Sequence, residues 1–114
     1  MLLTMNAQPC FEFGKVVATP AFLRAAQREI DETGRTDEAA EGLLIQLLTK
    51  HGLMDGGCLD TEDQQANLQA LKDGSRIFSA FMLPRTQVKI WIITEALNDE
   101  EQRASTCLLL PEDY

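Results

Sequence analysis

An α+β domain is what this sequence predicts, and three observations predict it. Apolar residues recur at helical spacing in separate stretches between Pro20 and Gly74. From Ser75 onwards the repeat shortens to strand-like alternation in SRIFSAFML and VKIWIITEA, where β-branched and aromatic residues take over. The 114 residues suit one domain built on one core. Helices first and hairpin-linked strands afterwards argue for three helices followed by a mainly antiparallel sheet of three to four strands, in the order β-α-α-α-β-β-β.

Each element has a local reason. FEFGKVVA, residues 11–18, alternates loosely and reads as the first strand. Thr19 is a good N-cap and Pro20 suits the first helical position. Phe22, Leu23, Ala26 and Ile30 then share one face of a helix reaching about Glu32, with Gly34 as its stop. Thr36 or Asp37 opens a second helix striped by Ala40, Leu43, Leu44, Leu47 and Leu48. Lys50 and His51 fall in its last turn, where positive charge suits the helix dipole, and Gly52 ends it. HGLMDGGCLD is a glycine-rich loop. Asp60 or Thr61 caps a third helix with an apolar edge at Leu68 and Leu71, Asn67 beside that edge, and Gly74 as its close.

The strands follow. In SRIFSAFML, Ile77, Ser79 and Phe81 face one way, and Arg76, Phe78 and Ala80 the other. PRTQ is a turn. In VKIWIITEA the set Val88, Ile90, Ile92 and Thr94 makes the better core face, which leaves Lys89, Trp91, Ile93 and Glu95 on a more open one. STCLLLP is the last strand, stopped by Pro111. Residues 1–10 are expected to be a flexible tail, with Met5 a reasonable start, and residues 11–114 the domain.

The formal net charge is −8 and the pI about 4.5. That sign argues against direct binding of nucleic acid or of an anionic membrane surface. It suits a basic protein partner, and ordinary solubility explains it as well. The acids cluster at Glu29–Glu41, Asp55–Asp63 and Glu95–Glu101. MLLTMNAQPC lacks the pattern of a signal peptide, and no apolar run approaches the ~18 residues of a membrane span. Cys10, Cys58 and Cys107 are odd in number and without paired spacing, so they indicate neither a disulfide framework nor zinc; a cytoplasmic location with reduced thiols is expected, Cys107 being a core residue. No motif asks for a cofactor.

The stretches FGKVVATP, HG…DGGCLDTEDQQAN, GSRIFSAF, KIWIITEA and LLLPEDY, in this order, resemble a family of small bacterial proteins carried on plasmids and other mobile elements. In that family the middle reads like H-x-x-G-D-W-G-x-L followed by E-D and Asn. The end reads like W-I-I-T-E-A-D-R-x-x-T-T-x-L-L-P-E-x-Y. The resemblance covers about residues 13–114 and implies a mobile-element setting without an activity. Two departures stand out: the Trp of Asp-Trp-Gly is absent around Asp55–Cys58, and the tight E-A-D-R connection has become EALNDEEQR, with Gln102 in place of Asp if Arg103 matches the motif's Arg.

Four features compete for a functional role. His51, Glu95 and Arg103 offer the acid, base and phosphate-binding cation of a barnase-like ribonuclease; as a helix C-cap His51 needs no such role. Asp60, Glu62 and Asp63 have the chemistry of a hard-cation site, yet capping explains them and no metal is expected. Trp91, with Lys89 and Glu95, marks a binding patch or a homodimer surface if that face is uncovered, and plain packing if a helix or loop lies over it. Asp99, Glu100 and Glu101 sit in the LNDEEQR bridge, either a solvated hairpin loop or an acidic protrusion for a basic groove. The expectation is a non-enzymatic accessory protein that binds another protein, such as an inhibitor of a nucleic-acid-binding host protein, with the ribonuclease as the alternative.

Overall fold

The computed structural model of the chain describes residues 8–33 and 40–114. The elements run β1 (Lys15–Ala18), α1 (Pro20–Thr33), α2 (Ala40–Gly52), α3 (Thr61–Asp73), β2 (Ile77–Met82), β3 (Lys89–Thr94) and β4 (Ser105–Leu109), then a 3-10 turn at Pro111–Asp113. The order is the one periodicity predicts. The sheet, however, is mixed: strands lie β1-β4-β3-β2, with β1 parallel to β4 and the other pairs antiparallel. The reason is topological. The helices carry the chain from one sheet edge to the other, and the meander β2-β3-β4 brings β4 back beside β1 in the same direction.

Local chemistry sets the helix ends. The Thr19 hydroxyl accepts from the Phe22 N–H at 3.1 Å and opens α1. Phe22, Ala25, Ala26 and Ile30 are its buried face, whereas Leu23, expected inside, is 46% exposed. The expected stop at Gly34 and the expected start of α2 at Thr36 or Asp37 lie outside the described residues. Asp60 caps α3 by accepting from the Asp63 N–H, and Gly74 closes it in the left-handed conformation with its N–H on the Ala70 carbonyl. The face of α3 differs from expectation. Leu68 and Leu71 are exposed, and Asn67 and Ala70 are buried instead. Asn67 explains this: its amide donates to the Phe78 carbonyl at 2.6 Å and accepts from the Phe78 N–H at 3.0 Å. One side chain thus occupies the outer edge of β2 as a neighbouring strand would. Gly56 and Cys58 continue that edge, bonding the N–H and C=O of Ala80.

The helix side of the sheet holds an apolar cluster of Phe22, Ala25, Ala26, Leu47, Phe81, Leu83, Ile90, Ile92 and Leu108. Ala40, Leu43, Leu44 and Leu48 pack against it, as the stripe in the second helix predicts. Glu29, which the sequence places in an acidic surface stretch, is buried below α1. Its carboxylate accepts from the Arg85 and Thr86 N–H groups and the Thr86 hydroxyl at 3.0, 2.9 and 2.8 Å, locking the β2–β3 turn onto the helix. Burial opposes ionisation of Glu29, but these donors outweigh it and hold the carboxyl below its usual value.

Candidate functional site

Beyond the apolar cluster the helix side of the sheet becomes polar. His51, at the end of α2, is fully buried and sits over the sheet. Its Nδ1 is 2.6 Å from the Ser79 hydroxyl on β2, and its Nε2 is 2.9 Å from the Thr94 hydroxyl on β3. Thr94 is 2.7 Å from the Thr106 hydroxyl on β4. Thr106 in turn donates to the Phe13 carbonyl at 2.8 Å. Residues 11–14, expected to start the first strand, cross this end instead. The Phe11 ring meets the imidazole edge-on at 5.2 Å, and Phe13 stacks on it at 6.3 Å.

Counting protons fixes the direction of the chain. A carbonyl only accepts, so the Thr106 proton points to Phe13. Thr106 must then accept from Thr94, and Thr94, its proton used, must accept from His51 Nε2–H. In the neutral imidazole Nδ1 is left as an acceptor, and Ser79 donates to it. Every hydroxyl and both ring nitrogens are satisfied with His51 uncharged. Burial lowers the His51 pKa from 6.5 to about 4, so the neutral form is the one present at neutral pH.

A second buried polar group adjoins this end. Arg103 is 5% exposed. Its guanidinium donates to the carbonyls of Ser75 at 2.7 Å, Glu95 at 3.0 Å and Ala70 at 3.1 Å. It caps the C-terminal end of α3, where a cation is favoured, and ties it to the ends of β2 and β3. Burial draws its pKa down, with Asp73 opposing. The face of the Phe11 ring lies 5.8 Å from it, so one aromatic ring separates Arg103 from His51.

The ribonuclease-like trio does not form a site. His51 and Arg103 are buried and occupied, the first by hydroxyls and the second by backbone carbonyls. Glu95 is exposed and follows Thr94, so strand alternation turns its carboxylate to the opposite side. His51 lies in the last turn of α2, as expected, with its side chain buried against the sheet. Asp60 is spent on capping α3, and among the described residues no cluster of His, Cys, Asp and Glu is arranged to hold a metal.

The opposite sheet face carries the other predicted residues. Phe78, Ala80 and Met82 of β2, Lys89, Trp91 and Ile93 of β3, and Cys107 and Leu109 of β4 alternate onto it. The C-terminal 3-10 turn contacts β3 and Tyr114 at its end packs on Trp91, and Ala80, Ile93 and Leu109 of this face are buried. Trp91 is half-buried between Phe78 at 5.2 Å and Tyr114 at 5.9 Å, both edge-on. Arg76 donates to the Tyr114 hydroxyl at 2.7 Å and stacks on its ring. Trp91 is therefore packed between a strand neighbour and the C-terminal tyrosine, with part of its ring exposed. On the same face Met82 of β2 is 44% and Val17 of the edge strand β1 38% exposed. Cys107, expected in the core, is half-buried here; burial, then Asp113 and Glu95, raise its pKa. The bridge exposes Asp99, Glu100 and Glu101. It is not a loose loop: the Asn98 side chain accepts from the Glu100 and Gln102 N–H groups, and Leu97 pairs with Arg103. The tail expected over residues 1–10 lies outside the described residues up to 7, while the Cys10 N–H already bonds the Gly52 carbonyl at 2.8 Å.

Ser79, Thr94, Thr106, Asn67, Phe11 and Phe13 were not singled out as site residues from the sequence. The available signal was a lone histidine at the end of an apolar helical stripe, with hydroxyl residues on the inward side of the strands. His51, Asn67, Ser79, Thr94, Arg103 and Thr106 are spread along the sequence and gather at one end of the sheet. Comparison with protein-family models, with curated proteins and with solved structures finds no match.

Proposed function

We propose that the chain is a non-enzymatic protein-binding domain whose contact surface is the sheet face around Trp91. The observation behind this reading is a contrast of exposure. The groups with catalytic chemistry, His51, Ser79 and Arg103, are buried and saturated, whereas the Trp91 face keeps aromatic and aliphatic surface in water at Met82, Val17 and Tyr114. Half-exposed aromatic rows of this kind serve as anchors in protein interfaces. Lys89 and Glu95 lie at opposite ends of β3 on the same side and give the patch a polar rim. The partner is another protein; a second copy of this chain is the competing occupant.

A second reading rests on the bridge. Asn98 fixes its backbone, so Asp99, Glu100 and Glu101 form a preorganised acidic tip suited to a basic partner. The acidic charge and the family resemblance support an accessory role for a mobile element, with inhibition of a nucleic-acid-binding protein as its form.

One experiment separates the surfaces. Wild type, Trp91→Ser and a variant with Asp99, Glu100 and Glu101 changed to Ala are compared for retained partners at low and moderate salt. Loss of a stoichiometric partner in Trp91→Ser alone supports the sheet face. Loss in the charge variant alone, with salt-sensitive binding, transfers the function to the tip. Light scattering across a concentration series tests the second copy. Cleavage of RNA by the wild type, lost in His51→Ala, would overturn the non-enzymatic reading.

A further inference from the structure

The polar end of the core has one wall that the rest of the molecule does not need. Residues 9–14 lie over His51 and contribute nothing to the apolar cluster, whose first member in the chain is Phe22. Their backbone is tied by the Cys10 N–H on the Gly52 carbonyl and by the Thr106 hydroxyl on the Phe13 carbonyl, both at 2.8 Å. The Lys15 N–H on the Ala104 carbonyl at 3.0 Å marks where the segment joins the sheet. A short segment outside the apolar cluster can open without the remainder unfolding.

We infer that residues 9–14 are a proton-gated strap: protonation of His51 releases them from the sheet while the apolar half of the core stays packed. The hydrogen-bond chain is why. It is complete only when Nδ1 accepts, and its last acceptor is the strap's own carbonyl at Phe13. A proton on Nδ1 turns that atom into a donor, forces the Ser79 hydroxyl to reverse, and leaves the Ser79 proton without the partner it had. The groups facing the ring are Phe11 and Phe13 from the strap, Ser79 from β2 and Thr94 from β3. None is an acid. Glu12, between the two phenyl rings in sequence, is exposed, as is Lys50 beside His51 on α2. The buried charge nearest through the strap is Arg103, across the Phe11 ring, and it repels an imidazolium. Opening the strap brings water to the imidazolium.

The sign follows from linkage. Closure lowers the His51 pKa from 6.5 to about 4 through burial, so protons favour the open strap. The effect is absent well above pH 7 and grows as the pH falls. If opening restores the ordinary pKa, the opening constant at pH 5 is about 30-fold larger than at pH 7.5.

Hydrogen exchange of the full chain between pH 7.5 and 5, read as protection factors, tests this. The amide of Cys10 is expected to lose protection about 30-fold and to stay far less protected at every pH than those of Phe81 and Ile92, which report global unfolding. His51→Gln, whose amide can bridge the same hydroxyls without titrating, should flatten the response. Gly52→Ala supplies an independent arm. A Cβ there would lie 2.6 Å from the Phe13 ring tip, so the strap is displaced and the His51 pKa should rise toward 6.5. Unchanged Cys10 protection in the wild type, Cys10 protection equal to that of Phe81 and Ile92, or the same response in His51→Gln overturns the inference. So does an unmoved His51 pKa in Gly52→Ala.

Discussion

The two ends of the helix-covered sheet face are built on different chemistry. Under α1 and the first turns of α2, Phe22, Leu47, Phe81, Ile90, Ile92 and Leu108 pack by shape and apolar area alone. Under the end of α2 the same strands present Ser79, Thr94 and Thr106 to His51. Apolar packing is non-directional, so it tolerates change in proportion to volume lost. A hydrogen-bond chain is directional, and removing one link leaves its neighbours buried and unpaired. Equal burial therefore predicts unequal responses: the apolar end should respond to size, the polar end to proton count and pH.

Four results would break or sharpen that contrast. The largest expected effect is at the apolar end: Phe22→Ala should cost about 4 kcal/mol in denaturant unfolding, at every pH alike. Next is pH itself. The unfolded chain binds more protons than the folded one between pH 6.5 and about 4, so stability should fall as pH drops through that window, by about 3 kcal/mol in all. His51→Gln should remove most of that slope. Third, Thr94→Val keeps shape but strips His51 Nε2–H of its acceptor, and should cost about 2 kcal/mol. Adding Thr106→Val should then cost less than it does alone, since the chain is already broken, and a double-mutant cycle measures the difference. The smallest effect belongs to the opposite face. Lys89→Glu should change stability by no more than about 0.5 kcal/mol, yet weaken retention of a partner that uses the Trp91 surface.

The apolar end was legible in the sequence because its information is periodic and local. The stripe from Ala40 to Leu48 and the alternation of Ile90 and Ile92 announce both element and face. The parity of Trp91 was legible for the same reason. The polar end was not. Ser79, Thr94 and Thr106 each look like ordinary strand residues, and only the pairing of Thr94 with Thr106 and the seating of α2 bring them to one histidine. Glu29 reads as one acid among several until the β2–β3 turn is placed beneath α1. Asn67 reads as a polar neighbour of an apolar edge, whereas its two bonds to Phe78 set which face α3 turns inward. The parallel pairing of β1 escaped notice because direction depends on the whole path of the chain and not on any residue in it.

The tautomer and charge of His51 carry the whole contrast. Nitrogen-detected NMR of the imidazole, titrated from pH 8 to pH 4, reads both in the intact chain. The account predicts a neutral ring with its proton on Nε2 down to about pH 5, and titration near 4. A ring protonated at neutral pH, or one carrying its proton on Nδ1, would contradict it.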